Sequence, residues 1–273
     1  MIASAACGSD DAAGSGPTVV VTTPMLGTVV EDLVGDAARV EVVMPNGIDP
    51  HDFEPSAKDI EALAGADLVV ENGRDLEEGL EDALDRARDD GVPVFTAADH
   101  VAPSEDPHIW MDPLAMRDLA LALAPALERE VGLDVGARAD DLGARLSALD
   151  AEVRETLAAV PPARRVLVTG HESMGYFAER YGLEPVGAIV PSLSSQAQAS
   201  ARSLARLRDA VRAAGAPVIF TEVGTPEDIA DVIADETGAR VVEVGTHTLP
   251  EDGSYATFLR EAAAAVAGGL GGS

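Results

Sequence analysis

The chain has a single cysteine in 273 residues, Cys7, so no disulfide can form within it. Tryptophan and lysine also occur once each, at Trp110 and Lys58, and aromatic residues make up only 3%. A core must therefore be built from Ala, Val and Leu. Basic residues are the next shortage: 19 against 48 acidic ones, for a formal net charge of −29. A chain so poor in positive charge has no patch with which to neutralise phosphates, which argues against nucleic acid as a partner. The acidity fits solubility in a salty or extracellular setting, and its field would concentrate cations near the surface. No stretch is apolar for long enough to span a membrane.

Hydrophobic residues, at 47%, are plentiful enough for two lobes of ordinary domain size. Short β-branched runs at Thr18–Thr23, Arg39–Met44, Asp67–Glu71 and Val92–Phe95 read as buried strands. Helical patterns alternate with them over Pro24–Val34, from a Ser56 cap with Asp59 as an imperfect capping box, over Leu76–Arg88 and over Leu114–Val131. The rhythm breaks at Val135–Val160, where Leu142, Leu146, Leu149, Val153 and Leu157 recur at helical steps without a proline, marking one long amphipathic helix. Pro161-Pro162 stops it. Strands at Arg165–Thr169, Glu184–Val190, Pro217–Thr221 and Arg240–Val244 then alternate with helices at Met174–Tyr181, Ala199–Ala214, Pro226–Glu236 and Tyr255–Val266. The expected fold is α/β: two lobes, each a mainly parallel sheet flanked by helices, joined by one long rigid helix. The expected divisions are a tether at 1–16, an N-terminal lobe at 17–134, a linking helix at 135–162 and a C-terminal lobe at 163–273, with Gly268–Ser273 frayed.

Histidine is scarce, with five in the chain, and Asp-Pro-His occurs twice, at Asp49-Pro50-His51 and Asp106-Pro107-His108. Proline stiffens both, and scarce histidines in stiff loops point to a metal. Ligand sites in open α/β sheets lie beyond the carboxyl ends of strands. His51, His108, His171 and His247 all follow expected strands, two in each lobe, so they are expected to converge on one interlobe site. His100, in the loop Ala98-Asp99-His100-Val101, reads as a solvated loop residue. Four neutral imidazoles suit Zn²⁺, whereas Mn²⁺ would ask for more carboxylate; affinity order alone also admits Cu²⁺ or Ni²⁺. Glu222, after the buried run Val218–Thr221, is a candidate acceptor for a ligand imidazole N–H; capping the next helix is the competing role.

The chain resembles the metal-binding solute-binding proteins of bacterial ABC importers, the group serving zinc and manganese. The resemblance rests on Gly47-Ile48-Asp49-Pro50-His51-Asp52-Phe53-Glu54-Pro55-Ser56, Asp106-Pro107-His108-Ile109-Trp110-Met111-Asp112-Pro113 and His171-Glu172-Ser173-Met174-Gly175-Tyr176-Phe177, and it runs from about residue 18 onward. It implies two lobes on a long helix, metal ligands at His51, His108 and His171, and delivery of Zn²⁺, with Mn²⁺ as the alternative, to an ABC importer permease by a monomer. The family places a carboxylate in the loop after the last strand. Here Thr246-His247-Thr248-Leu249 fits that pattern with His in place of the acid, so His247 is the expected fourth ligand and Glu243 the alternative. A long His- and acid-rich loop seen in many zinc members is lacking before the second motif.

Ser4-Ala5-Ala6-Cys7-Gly8-Ser9 resembles the end of a bacterial lipoprotein signal, with Cys7 the lipidated residue. Ser4 stands where such signals usually carry Leu, and only Met1-Ile2-Ala3 stand where an apolar region should lie, so a truncated lipoprotein start and a free thiol in a tail both remain open. The lipoprotein reading puts the protein outside the cytoplasm, at the cell surface or in the periplasm, with the membrane reached only through the anchor. Two rival functions stand beside a non-catalytic carrier. A zinc hydrolase would need an open coordination position and a base such as Glu54, but His171-Glu172 is followed by Gly175, so the HExxH spacing fails. An adhesin-like lipoprotein with an incidental metal is the other.

Overall fold

In the computed structural model, residues 16–271 are described; Cys7 lies outside them. The first sheet is built from β1 (Thr18–Val21), β2 (Arg39–Val42), β3 (Leu68–Glu71) and β4 (Val94–Thr96), all parallel, in the order β2-β1-β3-β4. The second repeats that arrangement with β5 (Val166–Thr169), β6 (Glu184–Ala188), β7 (Val218–Thr221) and β8 (Arg240–Glu243), in the order β6-β5-β7-β8. Each sheet has helices on both faces. Around the first lie α1 (Pro24–Val34), α2 (Ala57–Ala64), α3 (Glu81–Asp89) and α4 (Pro113–Val131); around the second lie α6 (Gly175–Tyr181), α7 (Ala201–Ala214), α8 (Glu227–Thr237) and α9 (Tyr255–Gly271). Between the lobes runs α5 (Gly136–Ala158).

The period-two alternation of the strands sorts their side chains between cores. Val19, Val21, Val70, Leu167, Val218 and Phe220 face one apolar cluster shared by both lobes, while Val20 and Val69 face an outer cluster under α2 and α3, and Val168 and Ile219 one under α7 and α8. The shared cluster is organised along α5, whose Leu142, Leu146, Leu149, Val153 and Leu157 are all buried. Polar ties reinforce it. The Trp110 indole N–H donates to the Thr246 carbonyl at 2.6 Å, Tyr255 Oη donates to the Trp110 carbonyl at 2.7 Å, and the Asn46 carboxamide pairs with both the N–H and the C=O of Leu249 at 2.8 Å. Arg180 clamps Asp150 of α5 with two bonds of 2.8 and 2.6 Å.

Local chemistry explains the element ends. Thr23 accepts from the Leu26 N–H with Pro24 opening α1, and Ser56 and Asp59 form a complete capping box at α2. Several expected boundaries differ. The helix expected from Leu76 begins at Glu81, after a 3₁₀ turn at Glu78–Leu80, because the Glu77 carboxylate turns back to accept from the N–H groups of Asn72 and Gly73. Gly79 then passes so close to the Phe53 carbonyl that a Cβ there would lie 2.1 Å from its oxygen. The strands expected to run through Met44 and Val190 end at Val42 and Ala188, although both residues stay buried and their N–H groups still donate to the Thr22 and Gly170 carbonyls. The glycine tail continues as helix to Gly271, with Gly269 set against the Phe220 ring, where a Cβ would approach to 3.0 Å. No described helix is long and apolar enough to cross a membrane.

Candidate metal centre

The carboxyl ends of both sheets open toward each other, and the loops beyond them bring four imidazoles together. His51 comes from the turn after β2, His108 from the loop after β4, His171 from the turn after β5 and His247 from the loop after β8; all four are buried. The Nε2 atoms of His51 and His108 lie 3.4 Å apart, and those of His171 and His108 lie 3.2 Å apart. His51, His108 and His171 form one group able to share an ion. His247 stacks on His171 with ring centroids 5.3 Å apart, and groups with His171 and Glu222 instead.

The remaining ring nitrogens fix the tautomers. A carboxylate can only accept, so the Nδ1–H of His108 donates to Asp106 Oδ1 at 2.7 Å and that of His171 to Glu222 Oε1 at 2.6 Å. Glu222 also accepts from the His171 N–H, from Ser173 Oγ and from Thr246 Oγ1, so both its oxygens are occupied. With its proton committed to Glu222, Thr246 Oγ1 accepts from the Nδ1–H of His247 at 2.9 Å. The His247 Nε2 lone pair is then buried without a hydrogen-bond partner. Neutral His108 and His171 likewise point bare lone pairs at each other across 3.2 Å. Two acceptors at that distance repel unless a proton or a metal ion lies between them.

The titration behaviour agrees. Burial, with the neighbouring His108 adding to it, depresses His51 to about 3; burial depresses His247 to about 4. His171 goes the other way: burial works against its charge, but the hydrogen bond and charge of Glu222, helped by Asp49 and Asp106, outweigh it and raise the pKa. Glu222 is buried too, yet the His171 contact holds it down to about 2. Buried Glu222 and Asp49 thus favour positive charge on His171, while burial keeps His51 and His247 neutral.

The other candidates lie elsewhere. Glu243 is an exposed residue at the end of β8, paired with Thr221, and Glu54 is exposed in the loop before α2. His100 is exposed and stacks on Phe95 with centroids 4.4 Å apart. Sequence reasoning gave no role to four residues that shape the site: Asp106, Thr246, Asn72, whose amide donates to the Pro107 carbonyl at 2.8 Å, and Glu77. Glu77 is wholly buried and pushed up to about 7 by that burial, and it anchors a turn in which Gly73, Arg74 and Asp75 all have positive φ. Left-handed backbone is costly for Arg74 and Asp75. The Arg74 guanidinium offsets it through the carbonyls of Ala98, Ala102 and Asp106 and the Tyr176 hydroxyl. The only sequence signal for Asp106 was its place in a repeated Asp-Pro-His.

The family described as ZnuA, zinc-uptake complex component A, periplasmic, matches residues 19–269. The chain belongs to that family. Members are solute-binding proteins of metal ABC importers, and the two parallel-sheet lobes are the family's fold. Among its relatives is the zinc-binding protein TroA of Treponema pallidum, 31% identical over 258 residues that cover 88% of this chain and 82% of TroA. The manganese-binding lipoprotein MntA of Halalkalibacterium halodurans is 28% identical, over 92% of this chain and 88% of its own. Among solved structures, the laminin-binding protein Lmb of Streptococcus agalactiae, described as both adhesin and metal transporter, superposes with a TM-score of 0.82 at 26% identity, over 93% of this chain and all of that one.

Proposed function

We propose that this protein is the extracytoplasmic zinc carrier of an ABC importer, binding one Zn²⁺ through His51, His108, His171 and His247 and passing it to the permease without catalysing a reaction. The observation that carries this reading is the spacing of the Nε2 atoms, 3.2 and 3.4 Å. Four nitrogens at a Zn–N distance of about 2.0–2.1 Å form a tetrahedron with edges of roughly 3.3–3.4 Å. Those two pairs stand at that spacing, with their lone pairs inward. Zinc rather than manganese is favoured because Glu222, the one carboxylate grouped with the imidazoles among the described residues, has both oxygens engaged by hydrogen bonds, leaving neutral nitrogen donors. Glu222 acts through His171, holding its ring. Attachment to the membrane through a lipid on Cys7 and a monomeric state complete the proposal.

The discriminating test is a zinc competition titration of purified protein with His247→Ala and Glu243→Ala. His247→Ala weakens binding by more than about 10-fold, the lower end of what even an outer partner contributes, and Glu243→Ala leaves it unchanged. If only Glu243→Ala weakens binding, the fourth ligand is the carboxylate. Zinc-dependent ester or peptide hydrolysis by the same preparation would replace the carrier with an enzyme.

A further inference from the structure

The four imidazoles are not held alike. His108, His171 and His247 each give their Nδ1–H to a fixed acceptor: Asp106, Glu222 and Thr246. The His51 ring, only 2% exposed, has an Nδ1 with no hydrogen-bond partner. For its Nε2 to face an ion, the ring proton must sit on Nδ1, which then becomes a buried donor in need of an acceptor. The backbone around it is already fixed. The His51 N–H donates to Asp49 Oδ1 at 3.1 Å, and its carbonyl accepts from Gln196 Nε2 of the other lobe.

The acceptor that faces the free nitrogen is Glu78 Oε1, 3.9 Å from Nδ1. That is about 1 Å beyond a charge-assisted hydrogen bond. Glu78 is 44% exposed and opens the short 3₁₀ turn that rests on the Phe53 carbonyl, so its side chain has room to move while its backbone does not. Both residues line a cavity of about 490 Å³ that opens between the lobes and is bordered also by Glu105, Ser192 and Ser194. Of the four imidazoles, His51 alone lines it.

We propose that Glu78 is the positioning residue of His51: when an ion takes His51 Nε2, the carboxylate closes on the Nδ1–H and locks the ring. His51 is then the last ligand to be fixed on loading and the first to let go on release, at the side of the site that opens to the cavity. This rests on the zinc-carrier reading. General chemistry supports the size of the effect, since outer partners of metal-bound imidazoles typically alter affinity by about 10–100-fold.

The test follows zinc capture and transfer to a chromophoric chelator by stopped flow in wild type, Glu78→Ala, Glu78→Gln and Glu105→Ala. Glu78→Ala speeds release about 10-fold or more with capture unchanged; Glu78→Gln, whose amide oxygen still accepts, falls between it and wild type. Glu105→Ala, on the same cavity wall, leaves release as it is. In ¹⁵N-histidine spectra of the zinc form, one Nδ1–H resonance, assigned to His51 by its absence in His51→Gln, exchanges slowly in wild type and rapidly in Glu78→Ala, while the other three stay put. A general loosening of the fold would move all four. Unchanged release in Glu78→Ala, or slowed capture with unchanged release, overturns the role and leaves Glu78 a mere charge at the mouth. Wild-type protein that takes up no zinc overturns the carrier reading and this role with it.

Discussion

Asp49-Pro50-His51 and Asp106-Pro107-His108 are the same tripeptide and fold by the same local rule. In each, the aspartate Oδ1 accepts from the N–H of the histidine two residues on, at 3.1 and 2.9 Å, and a 3₁₀ turn accompanies it, Pro50–Asp52 in one and Ile109–Met111 in the other. The side chains then part company. Asp106 also takes the Nδ1–H of its own histidine, whereas Asp49 leaves its second oxygen buried without a hydrogen-bond partner, 2.9 Å from where a Cβ on Gly224 would stand. One ring is tied by its own tripeptide and the other is not. Local sequence sets where an imidazole is presented; what lies around it decides how firmly.

The largest expected effect sharpens this contrast from the tied side. Glu222→Gln keeps the shape but replaces one carboxylate oxygen with a donor facing groups that themselves donate, so zinc affinity falls by about 100-fold. Competition titration measures it, and an effect under threefold would show that ring orientation matters little here. Next comes a direct comparison of the two tripeptides. Asp106→Asn frees the His108 ring and weakens binding about 10-fold or more, while Asp49→Asn, which frees no ring, weakens it only severalfold through lost charge. Equal losses would erase the distinction between tied and untied.

The last contrast lies in the pH dependence. Zinc needs neutral imidazole. His51 and His247, lowered to about 3 and about 4, are already neutral between pH 5 and 8 and release no proton on binding. His171 is raised, so it carries a proton at and below its elevated pKa, and the ion must displace it. Affinity therefore falls as pH falls, by about a decade per unit for each proton displaced, and His51 and His247 add nothing to that slope. A titration from pH 8 to 5 with a slope near four protons would contradict the burial of His51 and His247.

The alternation of strands and helices and the long α5 were legible because hydrophobic periodicity is set by what each face must bury. Boundaries were less so: Met44 and Val190 are apolar and buried, and their N–H groups still bond to carbonyls just past β1 and β5, yet the strands close two residues earlier, a distinction that composition does not carry. The turn before α3 was misread as helix because Glu77, a good helix former, spends its carboxylate on two backbone N–H groups instead. In the site, scarcity made the histidines visible. Their partners were hidden by abundance, since Asp106 and Glu77 are two acids among 48. Glu222 stood out only because it follows a fully buried strand.

The apolar cluster that runs unbroken from Val19 through α5 to Phe258 has a consequence for how this protein lives and dies. Two lobes with separate cores would melt in two steps, and one could survive the loss of the other. Here the largest interior is common to both halves, so heat should find a single cooperative transition, and a protease should find no stable half-molecule to leave behind. The imidazoles sit over the seam of that common interior. A cavity carved into α5, far from any histidine, would therefore lower the melting of both halves together, and added ion would raise it again.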